Sequence, residues 1–132
     1  MFEGYLVPGG TSITAKGDGD PLDINAAETR IFLALLEITQ QLEQEALDVF
    51  IFGSPDAATW GAKPLLTFPQ RFYVGETPML LDLREQPEVR FLRAHWDAAR
   101  WGRGSETPQF TFSVKLTEVE PALLREATGS RS

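Results

Sequence analysis

The sequence predicts an all-β protein, an antiparallel β-sandwich of jelly-roll type, folded as one domain over residues 1–132 with a core from about 11 to 117. Three observations point there. Short apolar runs of strand length recur along the chain, separated by turns rich in Gly and Pro. The clearest run alternates Phe110, Phe112, Val114 and Leu116 with Thr111, Ser113, Lys115 and Thr117, the period of a strand with one face on a core and one in water. Nine Phe, three Trp and two Tyr supply the bulk that the space between two sheets needs.

Taken in order, residues 1–10 hold Gly4, Pro8, Gly9 and Gly10 and read as an extended lead-in. Thr11 to Lys16 alternates as a short strand, and Lys16 to Asn25 reads as a loop. The segment Thr29 to Gln40 supports two periodicities. Ile31, Leu35, Ile38 and Leu42 recur at helical spacing, while Phe32, Ala34, Leu36 and Ile38 form a period-2 face with Ile31, Leu33 and Leu35 opposite. We read it as a strand buried on both faces at its start. The polar residues 40–45 then link it to a buried strand from Ala46 to Phe52, which breaks at Gly53 into a tight turn. That strand organises the rest.

Leu65 to Tyr73 is a strand interrupted by Pro69, which confines it to an edge or a bulge. Met79 to Leu83 makes another short strand before the turn Arg84–Pro87. Val89 to Trp96 turns Leu92, Ala94 and Trp96 one way and Val89, Phe91, Arg93 and His95 the other. Residues 97–108 read as a long loop of Arg, Trp and Gly, and the charged tail from Glu118 is expected to fray.

Composition narrows the function. With 42% hydrophobic and 23% charged residues, the 132-residue chain has the makings of a single globular core. The net charge is −7, and residues 1–56 hold ten acids against only Lys16 and Arg30. An acidic chain gains little from counterion release, so nucleic acid is not the expected partner. Five of the nine Arg fall between Arg84 and Arg103, which gives the two halves opposite character and suits polar ligands or contact between copies of the chain. There is no cysteine, in keeping with a reducing, cytoplasmic setting. The longest apolar run, Ile31 to Leu36, is far too short for a membrane-spanning helix, and the N-terminus does not look like a secretory signal.

Ser54, Asp56 and Trp60, directly after an apolar strand, are similar to the Ser-x-Asp-Gly-x-x-Trp turn of discoidin-type, galactose-binding-like domains. Ala57 stands where that family usually has Gly, a position whose positive φ an alanine resists by about 1 kcal/mol. Phe91-Leu-Arg93 resembles the aromatic-aliphatic-Arg strand found downstream in the family, and the strand at Phe110 suits its closing position. The resemblance implies a sandwich that binds through loops at one end. No ligand motif is matched, and Ser54, Asp56 and Trp60 are expected to serve the turn and one end of the core.

Two stretches are candidates for chemistry. Trp96, Arg100, Trp101 and Arg103 combine flat aromatic faces with guanidinium forks, a pairing that suits a carbohydrate, another polar ligand or a protein partner. The alternative folds Trp101 back on the core and pairs Arg100 and Arg103 with Asp97 and Glu106. Asp18, Asp20, Asp23 and Asn25 place four oxygen side chains in a Gly-rich loop that offers Ca²⁺ about half of its six to eight ligands; the alternative is an acidic surface turn. His95 is the only histidine, so no multi-His metal site can form. No nucleophile elbow, phosphate loop or distinguishable carboxylate pair occurs. The expectation is therefore a non-catalytic binding module, or else a structural subunit of a multi-copy, virion-like complex.

Overall fold

The computed structural model describes residues 2–13, 16–41, 45–61, 63–71, 74–100 and 110–120. Among these the chain forms strands β1 (Glu3–Ile13), β2 (Gly17–Asp18), β3 (Leu22–Asp23), β4 (Ile31–Gln41), β5 (Glu45–Ser54), β6 (Leu66–Thr67), β7 (Gly75–Asp82), β8 (Phe91–Arg100) and β9 (Phe110–Glu118). One sheet has the order β1-β9-β4-β7 and the other β2-β8-β5-β6, with β3 also on β8. Every pairing is antiparallel. No helix among the described residues is long and apolar enough to cross a membrane.

The ambiguous Leu-rich segment is a strand, β4, and Phe32, Ala34, Leu36 and Ile38 are its buried face. Burial on both faces is confined to its first two residues, because Leu33 is already 37% exposed. A two-layer fold has nothing to lay over the outer side of β4. Inward residues of both sheets meet in one core, where the Trp96 ring on β8 stands edge-on to Phe112 on β9 at 5.6 Å. β9 buries Phe110, Phe112, Val114 and Leu116 as its alternation requires. Thr111 and Ser113, expected to face water, are buried as well. They sit on an interior strand, and the Thr111 hydroxyl is satisfied by Ser12 Oγ at 2.8 Å and Gln40 Oε1 at 3.4 Å.

Other departures from the expected elements share one cause, the pairing of segments whose own sequence is weakly patterned. The lead-in belongs to β1, which carries Pro8 and two glycines through register shifts between Tyr5 and Thr11. An edge strand tolerates such bulges because one side needs no ladder. The loop at Lys16–Asn25 contains β2 and β3, held by β8. Residues 97–100, expected as loop, extend β8 because Glu45–Asp48 of β5 pairs with them. Pro78 is accommodated in β7 because that strand is an edge.

Glu118 is the largest correction. It does not fray: it is 5% exposed, and its carboxylate accepts hydrogen bonds from the backbone N–H of Phe2 (3.0 Å), Glu28 (2.8 Å) and Thr29 (2.6 Å). The Thr29 N–H above all, with Phe2 and Glu28, holds the carboxyl down at about 2 from an ordinary 4.5, against burial, which pushes it up. Arg30 follows in the left-handed region at φ 61, and its Nη2 donates to the carbonyls of Gln86 (2.6 Å) and Val89 (2.9 Å). These two side chains fasten the loop before β4 to the last strand and to the turn before β8.

Glu118→Gln is expected to lower stability at neutral pH by about 1.5–3 kcal/mol, the range for hydrogen bonds to a charged acceptor. The folded carboxyl titrates below the unfolded one, so its contribution is complete above the unfolded value and is lost as pH falls through the folded value of about 2. Urea midpoints of the two proteins should therefore converge on acidification, and a constant gap would contradict the clamp.

Candidate functional site

β8 is the strand about which the site is arranged. Its alternation sends Leu92, Ala94 and Trp96 into the core and Phe91, Arg93 and His95 to the outer side, as the sequence implies, but Val89, expected on the outer side too, precedes the strand and is buried in the core. β2 lies along it with Gly17 opposite Trp96 and Asp18 opposite His95. That approach depends on glycine. A Cβ on Gly17 would stand 3.3 Å from the Trp96 ring, and one on Gly19 would stand 2.6 Å from the Leu6 carbonyl oxygen. Gly19 N–H donates to Ala94 O at 2.7 Å, so the Gly-Asp-Gly-Asp run is an edge of the sheet laid flat against an indole.

Between this edge and β1 opens a cleft of about 240 Å³, lined by Tyr5, Leu6, Val7, Pro8, Thr11, Asp18, Gly19, Asp20 and Trp96. Trp96 is 8% exposed, so the indole serves the core and offers only a margin to the cleft. The Thr11 hydroxyl donates to Pro8 O at 2.6 Å and keeps its lone pairs for another donor. On the far side of β2 the Asp18 Oδ1 lies 2.8 Å from His95 Nδ1 and 3.7 Å from Arg93 Nε. Asp18 thus joins the cleft to the outer face of the sheet. There the His95 ring packs with Phe50 at 5.9 Å and edge-on with Phe52 at 6.1 Å.

Of the aromatic and arginine candidates, Trp96 is mainly a core residue that also lines the cleft, and Arg100 ends β8 opposite Glu45. Trp101 and Arg103 lie outside the described residues. Asp18, Asp20 and Asp23 are not gathered for Ca²⁺. Asp18 turns to His95, Asp20 lines the cleft, and Asp23 Oδ1 accepts the Asn25 N–H at 2.8 Å. Among the described residues no group of three or more His, Cys, Asp or Glu could hold a metal ion.

The turn at Ser54, Asp56 and Trp60 is built largely as its residues suggest. Ser54 Oγ accepts the N–H of Asp56 (3.2 Å) and Ala57 (2.9 Å) and donates to Asp56 Oδ1 (3.0 Å). That carboxylate accepts the N–H of Thr59 (2.8 Å) and Ala58 (2.9 Å), which hold its pKa at about 2. Trp60 is placed differently from expectation. Half-buried, it does not join the core cluster but supports the Arg93 guanidinium, whose Cζ is 4.4 Å from the ring centroid.

Sequence reasoning missed the cleft's other walls, Leu6 and Thr11, and the joint at Asp18. The signal available was the alternation of Gly17 and Gly19 with Asp18 and Asp20, a period-2 pattern that puts both glycines on one side of a strand. For Arg30 there was no signal, since its two acceptors are distant main-chain carbonyls. Comparison with protein-family models, with curated proteins and with solved structures gives no match to this chain.

Ala57 carries φ 64, a conformation that an alanine enters at a penalty and a glycine does not. Ala57→Gly should therefore raise stability by about 0.5–1 kcal/mol, the left-handed penalty less the extra entropy of an unfolded glycine. Thermal unfolding measures it, and a lower midpoint would contradict the observed turn.

Proposed function

We propose that the chain is a non-catalytic binding module of jelly-roll type that holds a carbohydrate or similar polyhydroxylated ligand in the cleft beside Trp96. The strand orders β1-β9-β4-β7 and β2-β8-β5-β6, with the chain passing repeatedly from one sheet to the other, support the jelly-roll reading. The positive φ at Ala57, where discoidin-type domains have Gly, supports the family likeness. The observation that carries the binding reading is the cleft itself: an indole margin and apolar walls beside two carboxylates and a hydroxyl, the mixture that receives a sugar ring and its hydroxyl groups. At about 240 Å³ it suits one ring rather than an oligosaccharide.

The Arg and Trp segment takes a secondary place in this reading. Arg100 is four residues past Trp96 on an extended strand, its backbone roughly 13 Å further along at strand rise. Titration calorimetry with monosaccharides, together with the Trp indole N–H signals in NMR spectra, tests the proposal. A saturable heat that shifts one indole signal and weakens about tenfold in Asp20→Asn is expected, the loss being that of one charge-assisted hydrogen bond. No heat with any sugar would refute it.

A second reading, a structural assembly subunit, has its own observation. Leu33 and Leu80 stand opposite each other on the outer face of β4 and β7, 37% and 40% exposed, with Leu35 opposite Pro78 beside them. Burying this patch between copies of the chain would remove apolar surface from water. Light scattering over a range of concentrations should then reveal an oligomer that Leu80→Asp dissociates, and a monomer throughout would set the assembly reading aside.

A further inference from the structure

We infer that the outer face of the β1-β9-β4-β7 sheet binds a second copy of this chain about a two-fold axis along β4, with Lys115 of each copy over Glu76 of the other. The inference rests on the assembly reading above and goes further by fixing the number of copies and the charges that align them. Among the described residues four large hydrophobic side chains stand exposed, and three of them, Tyr5, Leu33 and Leu80, share this face. They fall on two neighbouring rungs, Tyr5-Lys115-Leu35-Pro78 and Glu3-Thr117-Leu33-Leu80. The outward rings of the other sheet are by contrast engaged within the chain, where Arg93 lies over Trp60 and His95 packs with Phe50 and Phe52.

The charges on this face are unmatched within one copy. Glu37 and Glu76 stand directly opposite each other on β4 and β7, a like-charge placement that is destabilising by itself. Neither makes a hydrogen bond or ion pair with any described residue, and neither does Lys115. The Lys115 Nζ lies 6.0 Å over the exposed Tyr5 ring on β1, on the side away from the two acids. β9 and β7 flank β4, so an axis along β4 exchanges the two flanks. It brings the ammonium group of each copy over the other's acid pair and sets Leu33 and Leu35 against their counterparts, in the aligned manner of two packed sheets. The side chains of Lys115 and Glu76 together span the one-rung offset between them, roughly 7 Å at strand rise. Four strands and an eight-residue ladder present roughly 500 Å² per copy at strand spacing and rise. Two copies thus cover about 1,000 Å², the low end of specific interfaces, and form a concentration-dependent dimer that closes at two.

The test is sedimentation velocity on the full chain at concentrations up to about 1 mM. A monomer–dimer equilibrium is expected, weakened at least about tenfold by Lys115→Glu and by Glu76→Lys, because a two-fold repeats each substitution at both contacts. An equimolar mixture of these two variants should restore the dimer, since opposite charges then meet at each contact. Glu76→Lys removes the like-charge pair, so its thermal midpoint should not fall, which separates lost association from lost folding. Lys115→Gln keeps the stem and should weaken the dimer as well, so the test stands even where Lys115→Glu does not fold. A dimer indifferent to Lys115→Gln and Glu76→Lys, or a mixture of folded reversed variants that stays monomeric, would overturn the charge-aligned pairing while sparing the assembly reading. Growth beyond two copies would overturn the two-fold. A wild-type chain monomeric at every concentration would overturn both the inference and the assembly reading beneath it.

Discussion

The sandwich depends on β9 lying between β1 and β4. This placement brings the two ends of the described chain together, with Glu3 opposite Thr117 and Ile13 opposite Phe110. It also explains why β9 is the most completely buried strand, small hydroxyl residues included. The Glu118 carboxylate closes the arrangement by accepting three main-chain N–H groups from the N-terminus and from the loop before β4. A buried carboxylate is tolerable there because main-chain donors replace the water it has lost. Most partners in the fold are therefore far apart in the chain, and loop closure must precede the contacts that reward it.

β8 plays the corresponding part in the second sheet, with the added consequence that its two sides do different work. Inward, Leu92, Ala94 and Trp96 fill the core. Outward, His95 rests among Phe50 and Phe52 while Arg93 covers Trp60. β2, pressed against this strand by its glycines, carries Asp18 between the outer side and the cleft. The cleft and a surface aromatic cluster are thus linked by one side chain. The ion pair of Asp18 with Arg93 is solvent-exposed enough to add little stability, so its main effect is to orient the carboxylate.

Much of the fold was legible because the long strands carry their burial pattern in their own residues. Phe32 to Ile38, Leu92 to Trp96 and Phe110 to Leu116 each place their apolar side chains at period two, and each is a strand facing the core. The short elements were not legible. Gly17–Asp18 and Leu22–Asp23 are strands only because β8 offers unpaired main-chain groups beside them. The candidate site was legible only in fragments: Trp96 and the Asp18–Asp20 carboxylates stood out, but as parts of two unrelated proposals.

The sequence by itself determined the class of secondary structure, the faces of the principal strands and the turn chemistry at Ser54–Asp56, because each is governed by neighbours within a few residues. Tertiary structure alone decided the order of strands in the sheets, the burial of Glu118 and the hydrogen bonding of Arg30 against distant main-chain groups, and the meeting of Trp96, Asp18 and Asp20 in one cleft. These depend on segments tens of residues apart, and such pairings leave no period in a single chain.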